Sequence, residues 1–308
     1  MIRFFGGRVM TLANGIETQD IEVWTEGSKI VFVGKPKAEE LDGKVFEREY
    51  DLKGNLLMPS FKNAHTHSAM TFLRSYADDM PLQDWLFKQI FPMEAKLDGE
   101  KVYWLTKLAI LEYLTTGCTA AFDMYFELDY VKACTESGFR SVLCGAVSGD
   151  KSNLERLENN YLKYNNVDPL IRFMLGFHAE YTCEKELMEG VGKLAAKYKA
   201  PVAMHNSETA KEVRECIEKY GMTPTELFDS FGIFDFGGAG FHCVHMSDKD
   251  LEIFKNKGVW AVHCAGSNVK LASGIAPIVK MQDMGINIAI GTDGPASNNC
   301  LDMFREMF

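Results

Sequence analysis

From Leu56 onward the chain alternates short apolar runs with stretches of helical period, and this alternation limits the fold more than any other feature of the sequence. The strand candidates number eight: Leu56–Ala64, Thr119–Phe122, Ser141–Val147, Ile171–Phe177, Pro201–Met204, Gly238–Phe241, Val259–Val262 and Ile286–Ile290. Each is short and apolar without a polar face, as a parallel strand covered on both sides should be. Repeated strand–helix units of this kind predict an α/β protein, and eight of them predict a closed (β/α)8 TIM-like barrel over residues 57–308.

The helices between the strands carry their own signals. Val102, Leu105, Ala109 and Tyr113 fall at helical spacing before Gly117, and Leu187, Val191, Leu194, Ala195 and Tyr198 repeat the pattern. Ser247 with Asp250 reads as a capping box, and Thr223-Pro224 as a cap followed by proline in the first turn. Gly138, Gly221 and Gly258 stand where helices should stop. Residues 1–56 differ in character. There Ile21/Val23 and Ile30/Val31/Val33 flank the turn Glu26-Gly27-Ser28, which predicts a small β module.

Composition narrows the partners. A formal charge of −10 without any Lys/Arg run repels a phosphate backbone, so nucleic acid is not expected as a partner, and a small neutral or cationic molecule is easier to accommodate. The eight cysteines are scattered without a Cys-x-x-Cys pair, which suits free thiols in a reducing cytosol. No charged-then-apolar leader opens the chain, and no apolar stretch approaches the roughly 20 residues of a membrane span, so a cytoplasmic protein without membrane contact is expected.

The polar residues then fall at telling positions. Of seven histidines, His65, His178, His205, His242 and His263 lie at or just past the C-terminal end of a predicted strand, and Asp293 does the same. In an eight-stranded barrel that rim carries the active site, so residues remote in sequence are expected to meet at one mouth. Side chains two apart in an extended chain face the same way, so His65-Thr66-His67 can offer two imidazoles to one ion. His205-Asn206-Ser207-Glu208 adds an imidazole and, three residues on, a carboxylate that by itself reads equally as a first-turn helix residue. Gly291-Thr292-Asp293-Gly294 ends the last strand with a carboxylate before a residue free to turn sharply. Histidines and a carboxylate without clustered cysteines describe a catalytic site for a borderline ion such as zinc.

At this point the sequence resembles the amidohydrolase superfamily, in its methylthioadenosine/S-adenosylhomocysteine deaminase and chlorohydrolase-like branch. The segments that carry the likeness are Met58–His67, Met204–Thr209, Phe241–His245, Ser267–Gly274 and Gly291–Asn299. The resemblance implies that His65, His67, His205 and Asp293 bind one divalent ion, zinc first and Fe2+ second, with Glu208, His242 and Asp293 as the catalytic groups. It implies too that Trp85 stacks on a base, Glu94 binds ribose hydroxyls, His178, Glu208 and Ser297 make further substrate contacts, and Arg156 is one of two arginines that meet an amino-acid tail. The implied reaction is hydrolytic deamination of an adenine nucleoside: methylthioadenosine, S-adenosylhomocysteine or adenosine. A guanine or oxidised-purine deaminase, a triazine chlorohydrolase, and an inactive metal-binding chain are the alternatives.

Two departures stand out. The relatives' Asn-Pro after the seventh-strand histidine is replaced by His263-Cys264-Ala265-Gly266, and Gly145 stands where they carry the other arginine. The resemblance also implies a longer chain, with a final helix and the strands that complete a composite β-sandwich, so an end at Phe308 reads as a truncation after the eighth strand. A homo-oligomer is compatible with all of this.

Overall fold

The computed structural model describes residues 1–13, 15–126, 129–165 and 167–308. The chain divides into two compact units, Met1–Ser60 and Phe61–Phe308.

Among its described residues the first unit holds seven strands. β1 (Ile2–Phe5), β4 (Glu22–Glu26), β5 (Lys29–Gly34) and β6 (Arg48–Asp51) form one sheet in the order β5-β4-β1-β6, and β2 (Arg8–Leu12), β3 (Gly15–Gln19) and β7 (Leu56–Leu57) form another in the order β3-β2-β7. The expected hairpin is β4–β5, with Glu26 opposite Lys29 and Gly27 at a left-handed φ of 55°.

The second unit is a near-closed barrel of eight parallel strands. They are β8 (Phe61–Thr66), β9 (Cys118–Met124), β10 (Arg140–Cys144), β11 (Ile171–Gly176), β12 (Val202–Asn206), β13 (Gly238–His242), β14 (Trp260–His263) and β15 (Ile288–Ile290), each hydrogen-bonded to its sequence neighbour. One expectation needs correction. Leu56–Ala64 is not a single strand, because Leu56 and Leu57 pair with Arg8 and Val9 in the first unit while the barrel strand starts at Phe61. Pro59 lies between them, and a residue without an N–H interrupts a ladder.

Period-two alternation divides the strand side chains into two layers. Val142, Met124, Ala203, Phe241 and Val262 fill the barrel interior, while Leu143, Leu175, Val202 and Ala261 face outward into the core shared with Tyr113, Leu157, Val191 and Phe254 of the surrounding helices. The helices begin and end as the caps dictate. Thr223 and Ser247 each accept the backbone N–H three residues on, and Gly138, Gly221 and Gly258 close their helices in the left-handed conformation.

The seam between the first and last strands is closed largely by one side chain. Asn63 donates from Nδ2 to Thr292 Oγ1 at 2.7 Å and accepts the Thr292 N–H at 3.0 Å, and one residue later the Asp293 N–H donates to the His65 carbonyl at 3.0 Å. The approach is so close that a Cβ on Gly291 would lie 2.7 Å from the His65 nitrogen. Closing the barrel therefore also brings the carboxylate of Asp293 beside the histidines of β8.

Candidate active site

At the C-terminal rim, His65 and His67 from the end of β8, His205 from β12 and Asp293 after β15 offer one donor atom each, all within 4.8 Å of one another. The four are buried. Each imidazole is oriented by what its other nitrogen or its face touches. His67 Nδ1 is hydrogen-bonded to the Met124 carbonyl, His205 Nδ1 lies 2.8 Å from the His178 carbonyl, and the His65 ring stacks on Phe241 with centroids 3.7 Å apart. A carbonyl can only accept, so both Nδ1 atoms carry hydrogen and the Nε2 lone pairs of His67 and His205 are left for a shared partner. Asp293 is oriented in the same way, since Ser267 and Ser297 both donate to its Oδ2 at 2.6 Å.

The remaining atoms fit a cation. His65 Nε2 and His67 Nε2 each lie 3.2 Å from Asp293 Oδ1, yet His65 Nε2 and Asp293 Oδ1 make no hydrogen bond of acceptable geometry. Buried polar atoms without partners are unfavourable, so such a convergence points to a group that all of them share. Burial holds the His65 imidazole down at about 3 and that of His205 well below its ordinary range, which leaves both as neutral donors. His67 goes the other way. Burial opposes its charge, but the Asp293 carboxylate 3.2 Å from its Nε2 outweighs burial and holds it at about 9, so Nε2 carries a proton that a bound cation would replace. The carboxyl of Asp293, despite burial, stays well below the usual carboxylate range beside His65 and His67.

Glu208 and His242 stand next to this cluster. Glu208 Oε2 lies 3.7 Å from His242 Nε2, and both side chains are buried. Glu208 follows β12 in a turn that Glu212 pins, its carboxylate accepting the N–H groups of Ser207, Glu208 and Thr209 at 3.0, 2.8 and 3.3 Å. At or just past the strand ends, Ser207, His242, Cys243 and Asp293 adopt left-handed φ values of 50°, 69°, 49° and 57°. For non-glycine residues this conformation stores about 1–3 kcal/mol each and persists only where the surroundings hold it.

Above the cluster opens a cavity of about 290 Å³. Leu82, Trp85, Leu86, Phe91 and Glu94 line one side, carried by helical turns that include a π-helical stretch at Leu86–Ile90, and His178, Tyr181, Ala146 and Ser148 line another. Trp85 Nε1, Glu94 Oε1 and Tyr125 Oη are buried without hydrogen-bond partners. Desolvation raises the pKa of Glu94. An apolar pocket with a few unsatisfied polar groups at its walls is how a small-molecule site is built.

The structure thus gathers His65, His67, His205, Glu208, His242, Asp293, Trp85, Glu94 and His178 at one mouth. Ser297 is there too, but its hydroxyl is spent on Asp293 and it does not line the cavity. Arg156 lies on the exposed side of the helix Asn153–Tyr164 and is absent from the cavity wall. His263 ends β14, but alternation turns it outward while Val262 and Cys264 point into the barrel. Position 145 is also directed away from the cavity: a Cβ there would meet Leu157 Cδ1 at 2.5 Å and the Gly176 carbonyl at 2.9 Å. Sequence reasoning missed Ser267, Asn268, Ser273, Glu212 and Tyr125 as site residues; only Glu212 had a readable signal, as the fourth residue of a capping box that starts at Thr209.

A family model described as the amidohydrolase family matches residues 56–308. The chain belongs to that family. It is 42% identical over 297 residues to the 5-methylthioadenosine/S-adenosylhomocysteine deaminase of Thermoanaerobacter pseudethanolicus, covering 94% of this chain and 68% of that one. It is 44% identical over 298 residues to the 5'-deoxyadenosine deaminase of Methanocaldococcus jannaschii, covering 94% and 70%. Among solved structures, a zinc-bound adenosine deaminase from Xanthomonas campestris superposes with a TM-score of 0.91 at 33% identity, covering 99% of this amidohydrolase chain and 72% of that one.

Proposed function

We propose that this amidohydrolase deaminates an adenine nucleoside by hydrolysis, releasing ammonia. The observation that carries the reading is the placement of Glu208 and His242 beside four convergent donors at the floor of the cavity. The names of its relatives at 42% and 44% identity support the same class of substrate. His65, His67, His205 and Asp293 would hold a divalent ion, zinc ahead of Fe2+, which would supply water of lowered pKa at neutral pH. Glu208 gives a proton to the ring nitrogen next to the amino-bearing carbon, which makes that carbon electrophilic. His242 and the Asp293 carboxylate orient the attacking water and pass its proton toward the departing ammonia. Trp85 stacks on the base, Glu94 accepts from ribose hydroxyls, and His178 makes a further substrate contact.

Among the described residues no helix is long and apolar enough to cross a membrane. Seven of the eight free cysteines are buried, which suits a reducing compartment such as the cytoplasm. The test of the reading is ammonia release from adenosine, 5'-deoxyadenosine and methylthioadenosine, set against guanine and a chlorotriazine. Turnover of guanine or the triazine with none of the three nucleosides would discard it.

The cavity also sorts substrates by charge. No lysine or arginine among the described residues lines it, while Glu94, Glu208 and Asp293 do. A carboxylate tail entering this pocket loses water without gaining a cation, and a charge-assisted hydrogen bond contributes about 1.5–3 kcal/mol. S-adenosylhomocysteine is therefore expected to show kcat/KM about one to two decades below methylthioadenosine. Gly145→Arg cannot repair this, since the side chain would start inside Leu157 and the backbone of Gly176. Ser148, exposed at the rim, can carry a cation, and Ser148→Arg is expected to narrow the gap. A wild-type preference for S-adenosylhomocysteine would show that the pocket does not discriminate in this way.

A further inference from the structure

One short segment after β14 touches three of the reacting groups. Ser267 donates to Asp293 Oδ2 at 2.6 Å, Asn268 Oδ1 lies 2.8 Å from His242 Nδ1, and Ser273 donates to Glu208 Oε1 at 3.0 Å. These groups belong to three different strand ends, Asp293 just after β15, His242 closing β13 and Glu208 just after β12, yet all are held from one short helical turn, Ala265–Lys270, and the residues that follow it. The turn is braced from within: the Leu271 N–H donates to the Ser267 carbonyl at 2.9 Å, and the Ser273 N–H to the Asn268 carbonyl at 2.9 Å. Its far end is tied down where the Ser273 carbonyl accepts from His245 Nε2 at 2.8 Å. Ser267, Asn268 and Ser273 are 0, 1 and 4% exposed, so water does not compete for these bonds.

We propose that this segment is a positioning device for the deamination, and that within it Asn268 fixes the tautomer of His242. With Asn268 Oδ1 as the atom facing Nδ1, the amide accepts and the imidazole hydrogen lies on Nδ1, while Asn268 Nδ2 is left buried without a partner. The Nε2 lone pair is then left facing the reaction space, 3.7 Å from Glu208 Oε2, where it can take a proton from water. Without the acceptor at Asn268, His242 is free to carry its hydrogen on Nε2, and a ring in that form cannot act as the base. Ser267 and Ser273 set the carboxylate planes of Asp293 and Glu208 from the same rigid turn, so the three groups keep their mutual geometry as substrate enters. The role assigned to Nε2 rests on the deaminase reading, whereas the tautomer itself does not.

The experiment compares Asn268→Leu with Asn268→Asp, which keeps an acceptor oxygen in place. Loss of an orienting partner of this kind lowers activity by about 10–100-fold. In Asn268→Leu that loss is expected in kcat with methylthioadenosine, while KM and the bound metal per chain hold. Asn268→Asp is expected to recover most of it. The second readout needs neither metal nor substrate: ring nitrogen NMR of histidine-labelled, metal-free protein, with the His242 signals identified by their absence in His242→Gln. The Nδ1-protonated form is expected in the wild type and in Asn268→Asp, and its loss in Asn268→Leu. An Nε2-protonated His242 in the wild type overturns the proposal. So does an Asn268→Leu protein with wild-type kcat and tautomer. If Asn268→Leu does not fold, an Asn268→Asp protein with kcat 100-fold down or an Nε2-protonated ring overturns it equally. A wild type that deaminates no nucleoside but shows the expected tautomers would remove the deaminase reading and leave Asn268 as the residue that sets the ring.

Discussion

Glu208→Gln is expected to keep its metal and its fold while kcat for methylthioadenosine falls by about 10²–10⁴-fold, the contribution of a positioned proton-transfer group. The amide matches the carboxylate in shape, and its oxygen still accepts from Ser273 as Glu208 Oε1 does at 3.0 Å. The turn that presents residue 208 is held through backbone N–H groups by Glu212, so it does not depend on the side chain at 208. What the amide lacks is the ability to give and regain a proton. Burial raises the pKa of Glu208 above the ordinary carboxylic range, with His242 opposing that shift, and a carboxyl raised in this way is better matched to proton donation near neutral pH. The expected loss corresponds to about 3–5 kcal/mol of transition-state stabilisation. Steady-state kinetics with elemental analysis of the same preparation checks it. A Gln variant that turns over near the wild-type rate would make Glu208 a helix-end residue and send the search for the proton donor elsewhere.

Removing the ion by chelation is expected to abolish turnover, and one equivalent of zinc per chain to restore it. The reason lies in how the donors are built. The second nitrogens of His67 and His205 are committed to the Met124 and His178 carbonyls, and one oxygen of Asp293 to Ser267 and Ser297, so the inward-facing atoms have one another and little else. Without a cation, the buried His65 Nε2 and Asp293 Oδ1 stay without hydrogen-bond partners. An ion that binds the folded state alone also stabilises it, by about 2.7 kcal/mol when its free concentration is a hundred times Kd. Chelation is therefore expected to lower Tm as well as activity, and scanning calorimetry with and without zinc separates the two effects. Two equivalents bound per chain, or full activity after exhaustive chelation, would remove the mononuclear site from the account.

Local signals were legible in the sequence because they depend on neighbours a few residues away. Thr223-Pro224 and Ser247-Asp250 start helices and Gly138, Gly221 and Gly258 stop them, since capping bonds and left-handed φ are properties of one turn. His65 and His67 point their rings to one place for the same reason, as side chains two apart on a strand share a face. Strand ends were legible at His242 and His263, where an apolar run stops at its polar residue, but not at Ser141–Val147, which leaves the strand at Cys144, nor at Thr119–Phe122, which continues through Asp123 to Met124. The family likeness pointed to Trp85 and Glu94, which line the cavity and which no spacing could single out.

Only the folded chain decided the rest. Whether a strand-end residue joins the site depends on which face of the pleat it occupies, and that is set by register against neighbouring strands: Val262 points inward, so His263 turns out. The split of Leu56–Leu57 from Phe61–Thr66 depends on a partner strand near residue 8, and an apolar run does not name its partner. Asp293 reaches the histidines because Asn63 closes the seam onto Thr292, 229 positions away along the chain. Ser267, Asn268 and Ser273 look like ordinary polar residues in a loop until β12, β13 and β15 bring Glu208, His242 and Asp293 within hydrogen-bond reach. Periodicity and capping act within a turn or a pleat and so are written in the sequence, whereas hydrogen bonds between side chains on different strands exist only once the barrel has closed.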